Sequence, residues 1–270
     1  MAKKQTAADS KPGATGGQAG APAPSLPLFY RRPTPLDAAK HINLGLKKGF
    51  GLSFTSQVNA VPINMIEMPQ VCHFYPIAFS PDGNATPVAL MGLRDNENLF
   101  VNAKGEWEPN CYIPAYIRRY PFIFSEMPDS DRLTLCVDIN DSVVDEKSDQ
   151  KFFDKEGKPT QLAQNALEFC KSYHAAAQQT QDFSKALADS GLLVDRQAEI
   201  SIGEGKKISF SGFRIIDEAK LAELSDKDFL DWRRKGWLPF LYAHLFSGAQ
   251  WQRLTHMLRE RTGAAAGGRK

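Results

Sequence analysis

The pattern of hydrophobic and polar positions changes its period near residue 160. From Thr160 onward Leu162, Ala166, Phe169, Tyr173, Ala177, Thr180, Phe183 and Leu187 recur at spacings of three and four. That is one apolar stripe on a long helix, and Gly191 marks its end. Ile200 and Ile202 then alternate outward, Ile208 and Phe210 return, and Gly203-Glu204-Gly205 lies between them, which predicts a β-hairpin. The last stretch is helical with legible starts. Asp217 precedes a short helix, Ser225 with Asp228 resembles a capping box, and Gly236 stops the helix it opens. Trp237-Leu238-Pro239 begins another helix. Ser247 with Gln250 is expected to cap the last, with Trp251, Leu254, Thr255 and Leu258 facing inward.

Before residue 150 the chain reads differently. Ile63, Met65 and Phe74-Tyr75-Pro76-Ile77-Ala78-Phe79 suggest short strands, which frequent prolines such as Pro62, Pro69 and Pro76 hold to short runs or sheet edges. Leu99-Phe100-Val101 and Glu106-Trp107-Glu108 flank a predicted turn, Asn102–Gly105, and Leu133–Val137 makes a further strand. One early helix is expected, carrying Leu36, Lys40, Asn43, Leu44 and Lys47 after Pro35 and stopped by Gly49. The fold class is α+β: an irregular proline-rich β body, a long helix and a helical C-terminal subdomain.

Residues 1–27 are rich in Ala, Gly and Pro and lack apolar anchors, so a disordered tail is expected there. Residues 28–262 are expected to form a single domain, β-rich over 50–140 and mixed to helical over 150–262, followed by a short tail at 263–270. With 42% hydrophobic and 24% charged side chains, the composition is that of an ordinary globular protein. The net charge of +2 sits at the ends: Lys3, Lys4 and Lys11 against Asp9, then Arg269 and Lys270, leaving the body about −2. A nucleic-acid binder would show its basic excess on the folded part, so no nucleic-acid partner is expected.

Cys72, Cys111, Cys136 and Cys170 are widely spaced and give no ligand framework, so four free thiols and no metal are expected. The positive N-terminus lacks the apolar core of a secretory signal, and no run is long enough to span a bilayer. The expectation is a soluble cytoplasmic chain, with export lacking a cleavable signal left open.

Three blocks carry a family resemblance. They are Tyr75-Pro76-Ile77-Ala78-Phe79 after Glu67-Met68; Gly92–Phe100, then Trp107 and Tyr112-Ile113-Pro114-Ala115-Tyr116-Ile117-Arg118-Arg119-Tyr120-Pro121-Phe122; and Gly212–Asp217 with His244-Leu245-Phe246-Ser247. In that order they are similar to the bacterial SapC family, over roughly Leu28 to Leu258. The family takes its name from a protein associated with a paracrystalline surface layer. The resemblance therefore implies a surface-layer association as one expectation, and implies no catalytic residue set and no cofactor.

Catalytic motifs are missing. Gly45, Gly49 and Gly51 lack the surroundings of a phosphate loop, and no Gly-x-Ser-x-Gly elbow occurs. The segment Tyr112 to Phe122 is the leading candidate. Arginine binds carboxylate or phosphate in a bidentate fork and tyrosine supplies rigid amphipathic area, so Tyr112, Tyr116, Arg118, Arg119 and Tyr120 form a recognition surface for an anionic group or a peptide. The alternative is that Arg118 or Arg119 pairs internally with Asp95, Glu97 or Asp138. An extended segment would send the two arginines to opposite sides, one inward onto a carboxylate and one outward beside tyrosines. Secondary candidates are Glu67 and His73, the latter on a strand that turns it away from Cys72. Asp95 sits in a polar turn and His244 in a helix as a hydrogen-bonded core histidine. Three functions stay open: an accessory protein recognising a peptide or protein partner, an enzyme with Glu67, His73, Arg118 and Arg119 converging in one pocket, and a surface-layer structural protein.

Overall fold

The central helix, Gln161–Asp189, is about 43 Å long and is shared by two separate apolar clusters. The computed structural model describes residues 26–127, 130–201 and 207–263. The expectations for the two tails (but for residues 26, 27 and 263) and for the Gly203–Gly205 turn lie outside that set. In chain order the elements begin β1 (Pro33–Pro35), α1 (Ala38–His41), β2 (Gly45–Leu46), β3 (Ala60–Pro62), α2 (Met68–Val71), β4 (Ile77–Phe79) and β5 (Pro87–Leu90). Next come α3 (Ala115–Arg119), β6 (Phe122–Met127), β7 (Ser130–Asp138), β8 (Val144–Asp145), β9 (Gln150–Lys151) and the long helix α4. The chain continues with β10 (Leu193–Ser201), β11 (Lys207–Ile216), α5 (Glu218–Ala222), α6 (Asp226–Arg234), α7 (Leu238–Ser247) and α8 (Gln250–Arg261).

All strand pairs are antiparallel, in sheets ordered β1-β7-β6, β10-β11-β4-β5-β3 and β8-β2-β9. The class is α+β. The five-stranded sheet packs with α2, α7, α8 and the second half of α4 around Tyr75, Phe79, Phe100, Phe183, Leu187 and Leu241. The first half of α4 covers Phe122, Val137 and Phe152 with Ala166 and Cys170.

The five-stranded sheet contains an unusual join. β4 and β11 share a single residue pair, Arg214 with Phe79. Two residues along each strand, at Ile77 and Ile216, a side chain takes over. His244 of α7 is 5% exposed, its Nε2 accepts the Ile216 N–H at 3.1 Å, and its Nδ1 lies 2.9 Å from the Ile77 carbonyl. An amide can only donate, so Nε2 is unprotonated and Nδ1 carries the proton it gives to Ile77. Ser247 accepts the Ile77 N–H at 2.9 Å.

Several sequence expectations change. The early helix is a single turn capped by Asp37, because Leu36, Leu44 and Leu46 are covered by the small cluster under α4 rather than by a helix face. Gly45 instead enters β2 between β8 and β9, where a Cβ would overlap the Gln150 carbonyl. Met65 is not in a strand but in a 3-10 turn, Met65–Glu67. The Leu99–Glu108 hairpin shrinks to one bridge, Val101 with Trp107, around a turn in which Gly105 has φ +76°. Ser247 does not cap α8: it ends α7 and serves Ile77, and α8 starts after Ala249 without a side-chain cap.

Candidate functional site

The site begins with a buried carboxylate. Glu67 is 6% exposed. Its Oε2 accepts the Asn64 N–H at 2.9 Å and closes a capping box on the 3-10 turn. The neighbouring Met65 N–H goes to Thr180 of α4 at 2.9 Å, which ties this turn to the long helix. The other oxygen, Oε1, accepts the Ala115 N–H at 2.6 Å and the Tyr112 hydroxyl at 2.8 Å. Ala115 is the first residue of α3, so Glu67 supplies the negative end that a helix N-terminus lacks.

The Tyr112 hydroxyl also accepts from Arg118 Nη2 at 3.0 Å, while Arg118 Nε donates to the Ile113 carbonyl at 2.9 Å. The guanidinium carbon lies 5.4 Å from the Tyr112 ring centre and 5.2 Å from that of Phe169. Arg118 is thus held in orientation by a carbonyl, a phenol and two rings, at the surface. Among the described residues no carboxylate lies within ion-pair distance of it. Burial pushes the Tyr112 phenol up to about 12, the Glu67 charge adding to that rise and Arg118 opposing it. Tyr112 therefore stays protonated and can donate to Glu67.

Glu67, Tyr112 and Arg118 line a pocket of about 260 Å³, with Asn64, Ile66, Gln70, Phe169, Ser172 and Tyr173. Asn64 and Tyr173 also border a longer cleft of about 640 Å³ along the second half of α4. That cleft reaches Lys185 and Asp189, and the hydroxyl of Ser184 in its wall is buried without a hydrogen-bond partner.

The other half of the expected recognition surface is internal. α3 replaces the extended segment, so the two arginines differ by helical rotation and not by strand parity. Arg119 turns into a tyrosine cage, its guanidinium carbon 4.2 Å from the Tyr173 ring centre, 4.9 Å from Tyr116 and 5.7 Å from Tyr30. No acid meets it. Glu97 pairs with Arg94 at 2.5 Å. Asp138, fully buried, is taken by Tyr120, Asn140 and the amides of Arg31 and Arg32. Tyr116 is buried and donates to the Leu28 carbonyl at 3.2 Å. Burial raises the Tyr30, Tyr116 and Tyr173 phenols, and the Arg119 charge pulls each back.

The secondary candidates scatter. His73 is exposed just past α2, where Cys72 is the C-cap and buried; the two sit on a helical turn and not on a strand. Glu67, His73, Arg118 and Arg119 therefore do not converge: Glu67 and Arg118 share a pocket, while Arg119 lines another. Asp95 is exposed in a turn where Asn96 has φ +57°. His244 is the core bridge described above. No group of three metal-ligating side chains occurs among the described residues. Sequence reasoning missed Asn64, Gln70, Ser172 and Tyr173. The hydroxyls of Tyr173 and Thr180 within a mostly apolar stripe were the available signal.

Antiparallel sheets crossed by one long helix, with a cleft along that helix, define an α+β protein. The SapC family model matches residues 36–254, and the chain belongs to the SapC family. No curated protein and no solved structure matches it. Among the described residues, no helix is long and apolar enough to cross a membrane.

Proposed function

We propose that this SapC-family chain is an accessory protein that recognises a peptide or protein partner through the Arg118 end of the Arg/Tyr-rich segment. The observation that carries the reading is Arg118 itself: an oriented, exposed guanidinium at the mouth of a pocket, with no carboxylate among the described residues within ion-pair distance and Glu67 reaching it only through the Tyr112 hydroxyl. Fixing the fork beforehand removes much of the ordering cost of binding a carboxylate. Phe169, Ile66 and Tyr112 offer apolar and aromatic wall, and the adjoining cleft along α4 gives an extended chain room to continue. The partner group that fits is an acidic side chain or a chain-terminal carboxylate. Of the segment, Tyr112 and Arg118 make the contact; Tyr116, Tyr120 and Arg119 hold the scaffold.

The test is affinity capture from lysate with wild type beside Arg118→Ala, each first checked by thermal melt. A partner retained by wild type and lost from a normally folded Arg118→Ala supports the reading. Identical captured sets from the two proteins overturn it.

A further inference from the structure

Helix α6 begins with an unpaired acid, ends near an unpaired base, and exposes two large apolar side chains between them. Asp226, Phe229, Leu230 and Arg233 fall at i, i+3, i+4 and i+7, which puts all four on one stripe of the helix. The stripe is turned to one side of Trp232, which is buried and anchors α6 to the core. Phe229 is 39% exposed and Leu230 37%. The other acids of the helix are engaged: Asp228 accepts the Ser225 hydroxyl at 2.7 Å, and Asp231 pairs with Lys235 at 2.8 Å. Asp226 and Arg233 are exposed, and among the described residues neither side chain has an ion-pair partner. Acid in the first turn and base in the last suit the helix's own dipole. That dipole gives no reason for Phe229 and Leu230 to stand in water between them.

We propose that this stripe is a self-recognition surface, on which α6 of a second copy of the chain docks antiparallel about a two-fold axis. The axis passes between Phe229 and Leu230, midway between Asp226 and Arg233. At 1.5 Å per residue each charge then stands about 5 Å along the helix from the axis, on opposite sides of it. The two-fold rotation therefore brings Asp226 level with the partner's Arg233 and Phe229 against the partner's Leu230. Each contact occurs twice, as an interface built from one patch on both subunits requires. A parallel pairing would set Asp226 beside the partner's Asp226 and Arg233 beside the partner's Arg233, so the charge order selects the antiparallel one. The stripe runs along a helix of nine residues, about 13 Å long. It covers far less than the ~800 Å² that each partner gives to a standard complex, so the pair is weak and exchanges with the monomer.

The experiment is sedimentation equilibrium of the full chain between ~10 and ~500 µM at low salt, a range that suits an interface of this size. Wild type is expected to move from monomer towards dimer and no further. Arg233→Asp and Asp226→Arg, each checked by thermal melt, are each expected to weaken the dimer by about tenfold or more, because like charges then meet at both ends. An equimolar mixture of the two variants is expected to recover an affinity within about threefold of wild type, since the mixed pair restores both opposite-charge contacts. Phe229→Ser/Leu230→Ser removes the apolar centre and is expected to stay monomeric throughout. A wild type that remains monomeric at the highest concentration overturns the proposal, as does assembly beyond a dimer. A dimer that survives either charge reversal or the double serine variant lies elsewhere on the molecule and also overturns it. A mixture no tighter than its components overturns the pairing of Asp226 with the partner's Arg233, and the proposal with it.

Discussion

The carboxylate of Glu67 accepts the backbone N–H of Ala115 at 2.6 Å, across a sequence separation of 48 residues. This bond makes Glu67 the start of α3 as well as the end of its own turn. Glu67→Ala would orphan the amides of Ala115 and Asn64 and the Tyr112 hydroxyl, all within a buried pocket. Each such loss costs about 1–3 kcal/mol, so a total loss of about 3 kcal/mol or more is expected in a urea melt. Tyr112→Phe removes one donor and keeps the ring, and should cost about 1 kcal/mol. Equal melts for Glu67→Ala and wild type would remove Glu67 from this role.

The two adjacent arginines should respond to substitution by different amounts. Arg118→Ala is expected to change stability by under about 1 kcal/mol, because its contacts are solvent-exposed. Arg119→Ala empties a tyrosine cage and should cost about 2 kcal/mol. Arg119→Met keeps the length of the stem but gives up the charge and its hydrogen bonds to the Tyr30 and Tyr116 hydroxyls, so it is expected to cost less than Arg119→Ala but not to stabilise. A loss by Arg119→Met as large as that of Arg119→Ala would show that the charge and its phenol hydrogen bonds, not the packing of the stem, hold the cage.

How much of this was readable beforehand divides along the range of the forces involved. The helix α4 was legible because its stripe repeats within a single element, and Asp217 and Ser225 because capping acts over two or three residues. The α3 helix was not, since Pro114 and Pro121 look like strand breakers when they in fact bracket one helical turn. What starts that turn is Glu67, and nothing in the local sequence announces a cap from so far away. The same limit hid the pocket: Phe169 and Tyr173 read as core, because the groove they border exists only once α4 meets the Met65–Glu67 turn.

His244 gives a pH dependence with a definite sign. Burial lowers its pKa from 6.5 to about 4. The unfolded chain therefore takes up a proton before the folded one as pH falls. This contribution is fully present above pH 6.5 and is lost as pH drops towards about 4, by up to about 3 kcal/mol. His244→Gln should flatten the slope of stability between about pH 6.5 and 5, above the usual carboxylate range. Parallel slopes for the two proteins would show that His244 does not carry the effect.

Thiol chemistry should single out Cys111. All four cysteines are free. Burial raises the Cys72, Cys136 and Cys170 thiols, the last to about 11. Cys111 is half-buried, and its Sγ accepts from Arg253 Nη2 at 3.0 Å. A maleimide is expected to label Cys111 first in the native protein and the others only on unfolding. Peptide mapping after brief labelling checks the order.

The imidazole splice between β4 and β11 has a mechanical consequence. The β10–β11 ribbon is internally laddered along its length but meets β4 through one backbone pair and one histidine ring. Side chains hold it down: Phe210 and Phe213 lie 5.9 and 5.4 Å from the ring of Trp251 on α8, Arg214 donates to the Ser80 carbonyl at 3.0 Å and Arg259 to the Ser201 carbonyl at 2.8 Å. The ribbon is a flap glued by its side chains rather than stitched by its amides. Load applied across the seam falls on side chains, His244 and Trp251 together with Arg214 on the Ser80 carbonyl and Arg259 on the Ser201 carbonyl, and the sheet can part there while both halves keep their own ladders.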